Sequence, residues 1–305
     1  MTGYIDIQLN GYFGVNFNRN DLTAEQFHVA CEKLREHGVR AFLPTIITAS
    51  LPDMCTRLAN LARIVAQDPL AREMAPAFHA EGPFISDVAG FRGAHPAQHT
   101  RPSTPEAARQ LADAAGGLLR LVTLAPERDE GFATTRWLSS QGIRVAGGHC
   151  DPTLDQLKGA VDAGLSLYTH LGNGVPIQVH RHDNVIQRVL SLRDRITPCF
   201  IADGVHIPLF VLRNFLDLVG VDRAVVVTDS VDVAGLGPGR FKTLQGEEVV
   251  VGEELAVWSA DRSHLCGSAS TMPQLEANLR KMGYQDAQIR QLLCENPARV
   301  MGLKL

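Results

Sequence analysis

The sequence predicts an α/β fold, a TIM-type (β/α)8 barrel that occupies residues 1–305 as a single domain. The chain is long enough, and at 45% hydrophobic residues apolar enough, to bury one large core. Eight short apolar runs alternate with longer amphipathic segments, which is typical of repeated β–α units around a parallel sheet. This alternation also fits an open doubly wound sheet, so the periodicity by itself leaves both architectures open.

The predicted strands are short runs rich in β-branched and apolar residues, at residues 4–9, 40–43, 75–79, 119–124, 143–146, 166–168, 197–201 and 223–227. Helical periodicity fills the intervals between them, at residues 24–37, 54–66, 105–115, 154–163 and 208–218. After the eighth strand, polar and apolar residues alternate, which predicts a hairpin-like insertion near residues 240–262. Two closing helices are predicted at residues 272–282 and 286–294.

Composition narrows the function to small-molecule chemistry. The formal net charge is -4 and no run of lysine or arginine occurs, so a nucleic-acid or anionic-membrane partner is not expected. The start of the sequence lacks a secretory signal pattern, and no apolar stretch approaches bilayer-spanning length. We therefore expect a cytoplasmic protein. Its six scattered cysteines, without a CxxC pair, indicate reduced thiols rather than a disulfide framework.

Polar groups follow six of the eight predicted strands, where a barrel collects its functional side chains. A lone histidine is more often structural than a ligand, but acidic and imidazole groups at several strand ends favour a common site. The residues at these ends are Gln8, Asn10, His79, Glu81, His149, His170, Asn173, Asp203, His206 and Asp229.

Glu81, His149 and His170 provide one carboxylate and two imidazoles, a set that leaves one coordination position open, as catalytic zinc requires. Zinc lowers the pKa of bound water to about 7 and polarises carbonyl oxygens. Asp229 could take a proton from that water and deliver it to a leaving amine. An N-cap or turn aspartate is the alternative role for Asp229 in isolation. Zinc, iron, cobalt or manganese could each occupy such a site.

Several motifs in order along the chain give a specific resemblance: IDIQLNGYFG at Ile5, HAEGPF at His79, GAHP at Gly93, GHCDPT at Gly148, THLGNGVP at Thr169, IADGVH at Ile201, VTDS at Val227, CGSASTM at Cys266 and NPAR at Asn296. Through them the chain resembles the N-acetylglucosamine-6-phosphate deacetylases of the amidohydrolase superfamily. The resemblance implies removal of acetate from N-acetylglucosamine 6-phosphate. It also implies a metal bound by Glu81, His149 and His170, with Asp229 as acid and base.

The resemblance further implies which residues bind the amino sugar. Arg181 is similar to the family's phosphate-binding arginine, which reaches the site of the neighbouring subunit in a dimer, so we expect a homodimer. Without the motif, a surface ion pair is an equally reasonable role for Arg181. The other residues expected around the substrate are Ala94, His95, Asn173, Gly174, His206, Leu265, Cys266 and Gly267.

Gln8 and Asn10 occupy the places where many amidohydrolases carry the His-x-His of a two-metal centre. Amides are poor zinc ligands beside imidazole, so we expect one divalent metal, with zinc as the first choice. Gln8 and Asn10 then serve as supporting hydrogen-bonding groups. His79 lies two residues before Glu81, so it should share the inner face of that strand and support the centre from behind.

Two departures from the family pattern bear on the expected function. The family's small β-sandwich, built from residues before the first strand and after the last helix, is expected to be absent. Gly172 and Gly174 flank Asn173 where the family commonly has an aromatic residue and alanine. A deacetylase of another or unphosphorylated N-acetyl amino sugar is therefore an alternative. A catalytically inactive sugar-binding barrel is a second alternative, which the intact Glu81, His149, His170 and Asp229 argue against.

Overall fold

Eight parallel strands form the barrel in a computed structural model that describes residues 3–242, 248–262 and 265–304. Each strand pairs with the next one along the chain, the order expected of a barrel. The strands are β1 (Tyr4–Leu9), β2 (Val39–Ile47), β3 (Phe78–Glu81), β4 (Leu119–Leu124), β5 (Arg144–Gly147), β6 (Leu165–Tyr168), β7 (Thr197–Ile201) and β8 (Val225–Val227).

The first and last strands meet at their carboxyl ends, which makes the barrel nearly closed. Leu9 and Ser230 form a parallel bridge there. The Asp229 backbone N–H donates to the Gln8 carbonyl at 3.1 Å, and the Asn10 N–H donates to the Ser230 carbonyl at 2.8 Å. This closure excludes the open doubly wound sheet and brings the polar ends of β1 and β8 together.

The helices form the outer layer, and most agree with the predicted periodicity. They are α1 (Ala24–Glu36), α2 (Leu51–Gln67), α3 (Pro69–Met74), α4 (Pro105–Ala114), α5 (Ala133–Ser140), α6 (Leu154–Ala163), α7 (Val185–Ser191), α8 (Leu209–Val219), α9 (Met272–Lys281), α10 (Asp286–Arg290) and α11 (Asn296–Met301). Among the described residues, no helix is long and apolar enough to span a bilayer.

Two of the element boundaries that differ from the predicted ones lie beside a proline. Strand β2 continues through Pro44 to Ile47, beyond the predicted end at residue 43. Pro44 pairs with Leu9 beside a register irregularity, where its missing N–H is tolerated. The predicted helix 286–294 instead passes into a π-helical turn over Gln291–Glu295. Pro297 follows this turn, which gives its ring room that a regular α-helix lacks.

The core has two layers. Inward-pointing side chains from alternate strand positions fill the barrel interior, with Val300 from α11 packed among them. Their alternate neighbours pack outward against the helices, as Phe78 and Ala80 of β3 do. The inner set comprises Ile5, Ile7, Ala41, Leu43, Leu121, Leu167, Cys199, Ile201, Val225 and Val227. The apolar interior ends where the strands end, so the polar groups beyond it line the open carboxyl end of the barrel, its mouth.

Past β8 the chain forms a four-stranded antiparallel sheet. Its strands are β9 (Gly239–Lys242), β10 (Glu248–Val251), β11 (Ala256–Ser259) and β12 (Leu265–Ser268). The hairpin-like segment predicted near 240–262 falls within this sheet, apart from residues 243–247, which lie outside the described residues. The last strand returns to the barrel mouth, because Ser268 forms a parallel bridge with Ser230.

Candidate active site

The candidate site lies at the carboxyl ends of the barrel strands. Among the described non-glycine residues, only seven have a positive φ. Three of them are His149 (φ 51°), His170 (φ 30°) and Asp229 (φ 50°), each at the end of a different strand. Residues other than glycine rarely have a positive φ, and such backbone conformations concentrate at functional sites. The turns after β5, β6 and β8 therefore orient these three side chains, and the backbone is strained there.

Three predicted metal-binding atoms converge on one point. Glu81 Oε1 lies 3.1 Å from His149 Nε2 and 3.0 Å from His170 Nε2. The two imidazole Nε2 atoms lie 3.0 Å apart. Two atoms bound to one tetrahedral zinc ion at about 2.0–2.1 Å are about 3.3–3.4 Å from each other. The separations of 3.0–3.1 Å are close to this value, so the three atoms could share one ion, and the carboxylate and imidazole donors suit a transition metal.

His149 is held with its Nε2 ready to act as a ligand. Its Nδ1 lies 3.2 Å from the backbone carbonyl of Phe91, which can only accept a hydrogen bond. Nδ1 is therefore the donor in this contact, and Nε2 would offer its lone pair to a bound metal ion. A carbonyl that fixes the tautomer of a histidine ligand in this way is common in metal sites.

Two glycines make room for the His149 ring. A Cβ on Gly174 would lie 2.8 Å from His149 Nδ1, and one on Gly93 would lie 3.0 Å from His149 Cε1. Both glycines have a positive φ, 62° and 60°. The glycine at 174, where the sequence departs from the family pattern, thus packs on the ring of a metal-ligand candidate.

Replacing Gly174 by alanine should weaken metal binding about tenfold to a hundredfold, because the new methyl group displaces the His149 ring. Metal affinity would be measured by competition with a chromophoric chelator. The matched control is Gly302→Ala, since Gly302 has a similar φ of 65° but nothing within 4 Å of the place that a Cβ would occupy. Equal metal affinity in both variants would show that contact with His149 is unimportant.

Asp229 is anchored through one carboxylate oxygen. Gln8 Nε2 donates to Asp229 Oδ1 at 3.1 Å, and Asn10 Nδ2 donates to the same atom at 2.8 Å. Gln8 Nε2 also lies 3.1 Å from Glu81 Oε1, so one amide connects the acid/base candidate to the metal-ligand cluster. The other oxygen, Oδ2, accepts no hydrogen bond from the described residues and could meet a substrate or water.

Burial and charge set the protonation of the carboxylates. Burial raises the pKa of Asp229 to about 6, and the negative charge of Glu81 adds to this rise. A carboxyl group with that pKa can both accept and donate a proton near neutral pH. Burial would also raise the pKa of Glu81, but hydrogen bonds with His149 and His170 hold it well below its ordinary value. Glu81 is therefore ionised, as a metal ligand must be.

His79 lies behind the cluster and does not join it. Its Nε2 lies 2.8 Å from the Thr123 hydroxyl, which in turn lies 2.6 Å from the Thr169 hydroxyl. Burial lowers the pKa of His79 to about 4, so the ring is neutral. The strand-end pattern does not identify Thr123 and Thr169, whose hydroxyl groups form this buried chain with His79.

His95 approaches the cluster from the loop after β3. Its Nε2 lies 3.2 Å from His149 Nε2, and burial followed by the proximity of His149 lowers the pKa of His95 to about 3. Donor atoms of Glu81, His95 and His149 all lie within 4.8 Å of one another. His170 Nε2 lies within 3.0 Å of both Glu81 Oε1 and His149 Nε2, so the cluster contains four potential donors.

The remaining predicted residues surround the mouth. His206 pairs with Asp203 at the end of β7. The Asn173 side chain donates to the His170 carbonyl at 3.2 Å. Leu265, Cys266 and Gly267 lie on β12, half-buried, and Ala94 lies beside His95 on an exposed part of its loop. Arg181 is exposed, and no residue in the described part of the chain forms an ion pair with it.

Known proteins with similar sequences are deacetylases of N-acetylated amino-sugar phosphates. No family model matches the chain. It is 34% identical to N-acetylglucosamine-6-phosphate deacetylase of Danio rerio, with 92% of this chain and 69% of that protein covered. The corresponding values for N-acetylglucosamine-6-phosphate deacetylase of Bacillus subtilis (strain 168) are 32%, 99% and 75%. An N-acetylgalactosamine-6-phosphate deacetylase of Escherichia coli O157:H7 is 30% identical, with 98% and 77% covered.

A solved structure shares the architecture. A mutant N-acetyl-D-glucosamine-6-phosphate deacetylase of Mycobacterium smegmatis, in complex with N-acetyl-D-glucosamine 6-phosphate, has a TM-score of 0.87 at 29% identity. The match covers 99% of this chain and 77% of that one. The chain belongs to the N-acetylglucosamine-6-phosphate deacetylase family. The deacetylases are metal-dependent amidohydrolases, and the buried Glu81, His95 and His149 of this member could hold a metal, with His170 Nε2 beside them.

The family relationship confirms the predicted fold class and the class of enzyme. Within the deacetylase barrel, the structure brings together the predicted cluster with Gln8, Asn10 and Asp229. It leaves Arg181 outside this cluster, on the exposed loop after β6. Sequence reasoning missed the Phe91 carbonyl and the pairing of Asp203 with His206, although both residues stand in the IADGVH motif.

Proposed function

We propose that this chain hydrolyses the acetamide of N-acetylglucosamine 6-phosphate to give glucosamine 6-phosphate and acetate. The observation that supports this most is the convergence of the Glu81, His149 and His170 donor atoms within a deacetylase barrel, with Asp229 linked to them by the Gln8 amide. An inactive sugar-binding barrel would have no need to retain this set of strained and buried groups.

Glu81, His149 and His170 would hold one divalent metal, which we propose to be zinc. A bound divalent ion supplies Lewis-acid chemistry, polarising an amide carbonyl and lowering the pKa of water. Gln8 and Asn10 support the proposal of a single ion, because amides are poor zinc ligands beside imidazole. Their NH2 groups donate to carboxylates, so only the amide oxygens could bind a second ion.

Asp229 would move the proton that amide hydrolysis requires. With Oδ1 held by two amides, Oδ2 would take a proton from the attacking water. The same oxygen would then return that proton to the departing amine, which leaves Asp229 ionised for the next turnover. The buried setting that raises its pKa to about 6 supports both steps.

The other predicted residues would bind the amino sugar. His95 and His206 would contact the sugar itself, and Asn173 with the Gly174 N–H would bind its phosphate. We place Ala94, Leu265, Cys266 and Gly267 around the rest of the substrate. His79 would support the centre from behind, where its Nε2 contacts the Thr123 hydroxyl.

A panel of three substrates tests the proposal and separates it from the related alternatives. The metal-loaded protein would be assayed for acetate release from N-acetylglucosamine 6-phosphate, N-acetylgalactosamine 6-phosphate and unphosphorylated N-acetylglucosamine. We expect the highest kcat/KM with the first. N-acetylgalactosamine 6-phosphate is included because a 30% identical relative is an N-acetylgalactosamine-6-phosphate deacetylase. Preference for either of the other two sugars would replace the proposed substrate.

We further propose that two copies of the chain form a dimer in which Arg181 of each reaches the site of the other. Arg181 lies on the exposed loop between β6 and α7. On the same loop the Ile177 side chain is fully exposed, and Val179 is 36% exposed. Exposed aliphatic side chains beside a cation that has no ion-pair partner in the described residues support burial of this loop by a second copy.

Arg181→Ala should raise KM far more for the phosphorylated sugar than for the unphosphorylated one. The reason is that a guanidinium–phosphate hydrogen bond exists only with the former. Steady-state kinetics with both sugars would measure this loss of selectivity. The matched control is Arg193→Ala, because Arg193 is a partly exposed arginine whose guanidinium forms a hydrogen bond only with the Leu190 carbonyl among the described residues.

A complementation experiment distinguishes an Arg181 that acts in the partner's site from one that acts in the site of its own chain. Mixing Arg181→Ala chains with Asp229→Asn chains should restore some activity, since one hybrid site then holds an intact arginine and an intact carboxylate. Loss of selectivity without complementation would assign Arg181 to its own chain's site. Unchanged selectivity would remove Arg181 from phosphate binding.

A further inference from the structure

An aspartate–histidine pair lies at the end of β7, on the same face of the barrel as the metal-ligand cluster. Asp203 Oδ2 lies 2.6 Å from His206 Nδ1. Asp203 Oδ1 accepts the backbone N–H groups of Val205 and His206, each at 2.9 Å. Both carboxylate oxygens are thus used to shape one turn and to hold one imidazole ring.

The pairing fixes which nitrogen of His206 carries the proton. Burial would raise the pKa of Asp203, but its hydrogen bond to His206 and the two backbone N–H groups keep it below the ordinary value. An ionised carboxylate only accepts hydrogen bonds, so His206 Nδ1 is the donor. His206 Nε2 has no hydrogen-bond partner among the described residues, and the side chain is 13% exposed.

The turn that carries the pair is itself anchored from a distant helix. The Asn278 side chain of α9 is buried and donates to the carbonyls of Ala202, at 2.9 Å, and Asp203, at 3.1 Å. His206 follows β7 as Asp229 follows β8, so the ring lies at the same end of the barrel as the acid/base candidate. His206 therefore presents Nε2 to the mouth from a rigid support.

We propose that Asp203 is a positioning residue that sets the tautomer and the orientation of His206, so that Nε2 contacts the amino sugar. Asp203 itself touches no substrate in this proposal. The inference deepens the proposed function and rests on it for the part played by the sugar. Buried carboxylates that orient a working imidazole through Nδ1 are a recurring device in enzymes.

Asp203→Asn tests the proposal with little change in shape. The asparagine Oδ1 can still accept the two backbone N–H groups, whereas its NH2 group cannot accept from His206 Nδ1. We expect kcat/KM of the metal-loaded enzyme to fall about tenfold to a hundredfold, with metal content unchanged. A value of kcat/KM within about twofold of wild type would overturn the proposal.

Asp129→Asn is the matched control. Asp129 is also a buried aspartate that accepts two backbone N–H groups, from Thr134 at 3.0 Å and Thr135 at 2.8 Å, but it contacts no imidazole among the described residues. We expect its kcat/KM to stay within about twofold of wild type. An equal fall in both asparagine variants would assign the effect of Asp203 to the backbone turn and overturn the proposal.

A double-mutant cycle asks whether Asp203 acts through His206. In a His206→Ala background, Asp203→Asn should cause no further fall in kcat/KM, because the ring that it orients is gone. The same fall in both backgrounds would mean that Asp203 acts independently of His206, which would overturn the proposal.

Nitrogen NMR provides a readout that does not depend on activity. In protein with ¹⁵N-labelled histidine, the signals of His206 are those lost in His206→Ala. We expect the proton on Nδ1 in the wild-type chain and its loss from Nδ1 in Asp203→Asn. An unprotonated Nδ1 in wild type would overturn the inference. A chain with the expected signals but without deacetylation would instead count against the proposed function alone.

Discussion

Asp229→Asn should lower kcat by about a hundredfold to ten-thousandfold while leaving the metal content unchanged. The asparagine keeps the shape of the side chain, and its amide oxygen can still accept from Gln8 and Asn10, which both donate to Oδ1. It cannot take a proton from water or return one to the amine. Stopped or continuous assays of acetate release at saturating sugar would measure kcat, and elemental analysis would measure the metal.

Asp232→Asn is the matched control for this substitution. Asp232 lies three residues further along the same loop and also accepts a side-chain amide, from Asn16 at 3.2 Å. It makes no contact with Gln8, Asn10 or the metal-ligand cluster in the described residues. We expect its kcat to be close to that of wild type. Near-normal turnover in Asp229→Asn would remove Asp229 from proton transfer.

His149→Ala should lose the metal and the activity together. One of three proposed protein ligands is removed, and Glu81 and His170 alone leave too few donors for a stable site. We expect less than about a tenth of an equivalent of metal to remain after gel filtration, with kcat/KM reduced at least about a hundredfold. Circular dichroism would confirm that the barrel is still folded.

His28→Ala serves as the control for loss of an imidazole. His28 lies on α1 and pairs with Asp68, with 43% of its side chain exposed, away from the barrel mouth. This variant should retain the full metal content and activity. A full equivalent of metal in His149→Ala would contradict the proposed ligand set and would point to His95, whose Nε2 lies 3.2 Å from His149 Nε2, as a ligand in its place.

The fold and the position of the site could be predicted because both follow from short-range patterns. Alternating apolar runs locate the strands, and the carboxyl ends of parallel strands meet on one face. Glu81, His149 and His170 come from three different strand ends, and this shared face brings them together. Pairing of the first and last strands, which distinguishes a barrel from an open sheet, has no local signature, and the structure was needed to establish it.

Other parts of the site depend on contacts between distant backbone groups, which sequence patterns do not record. The tautomer of His149 depends on the carbonyl of Phe91, 58 residues earlier in the chain. A carbonyl is common to every residue, so nothing in the side-chain pattern identifies this one. Gly174 likewise has its effect through the close approach of the His149 ring. Only the fold makes that approach visible.

The most direct test of the central claim is a zinc titration of metal-free protein, with acetate release from N-acetylglucosamine 6-phosphate as the readout. If Glu81, His149 and His170 hold the one working ion, the initial rate should rise linearly and stop rising at one equivalent of zinc per chain. A rate that continues to rise to two equivalents, or no acetate release at any zinc concentration, would contradict the account.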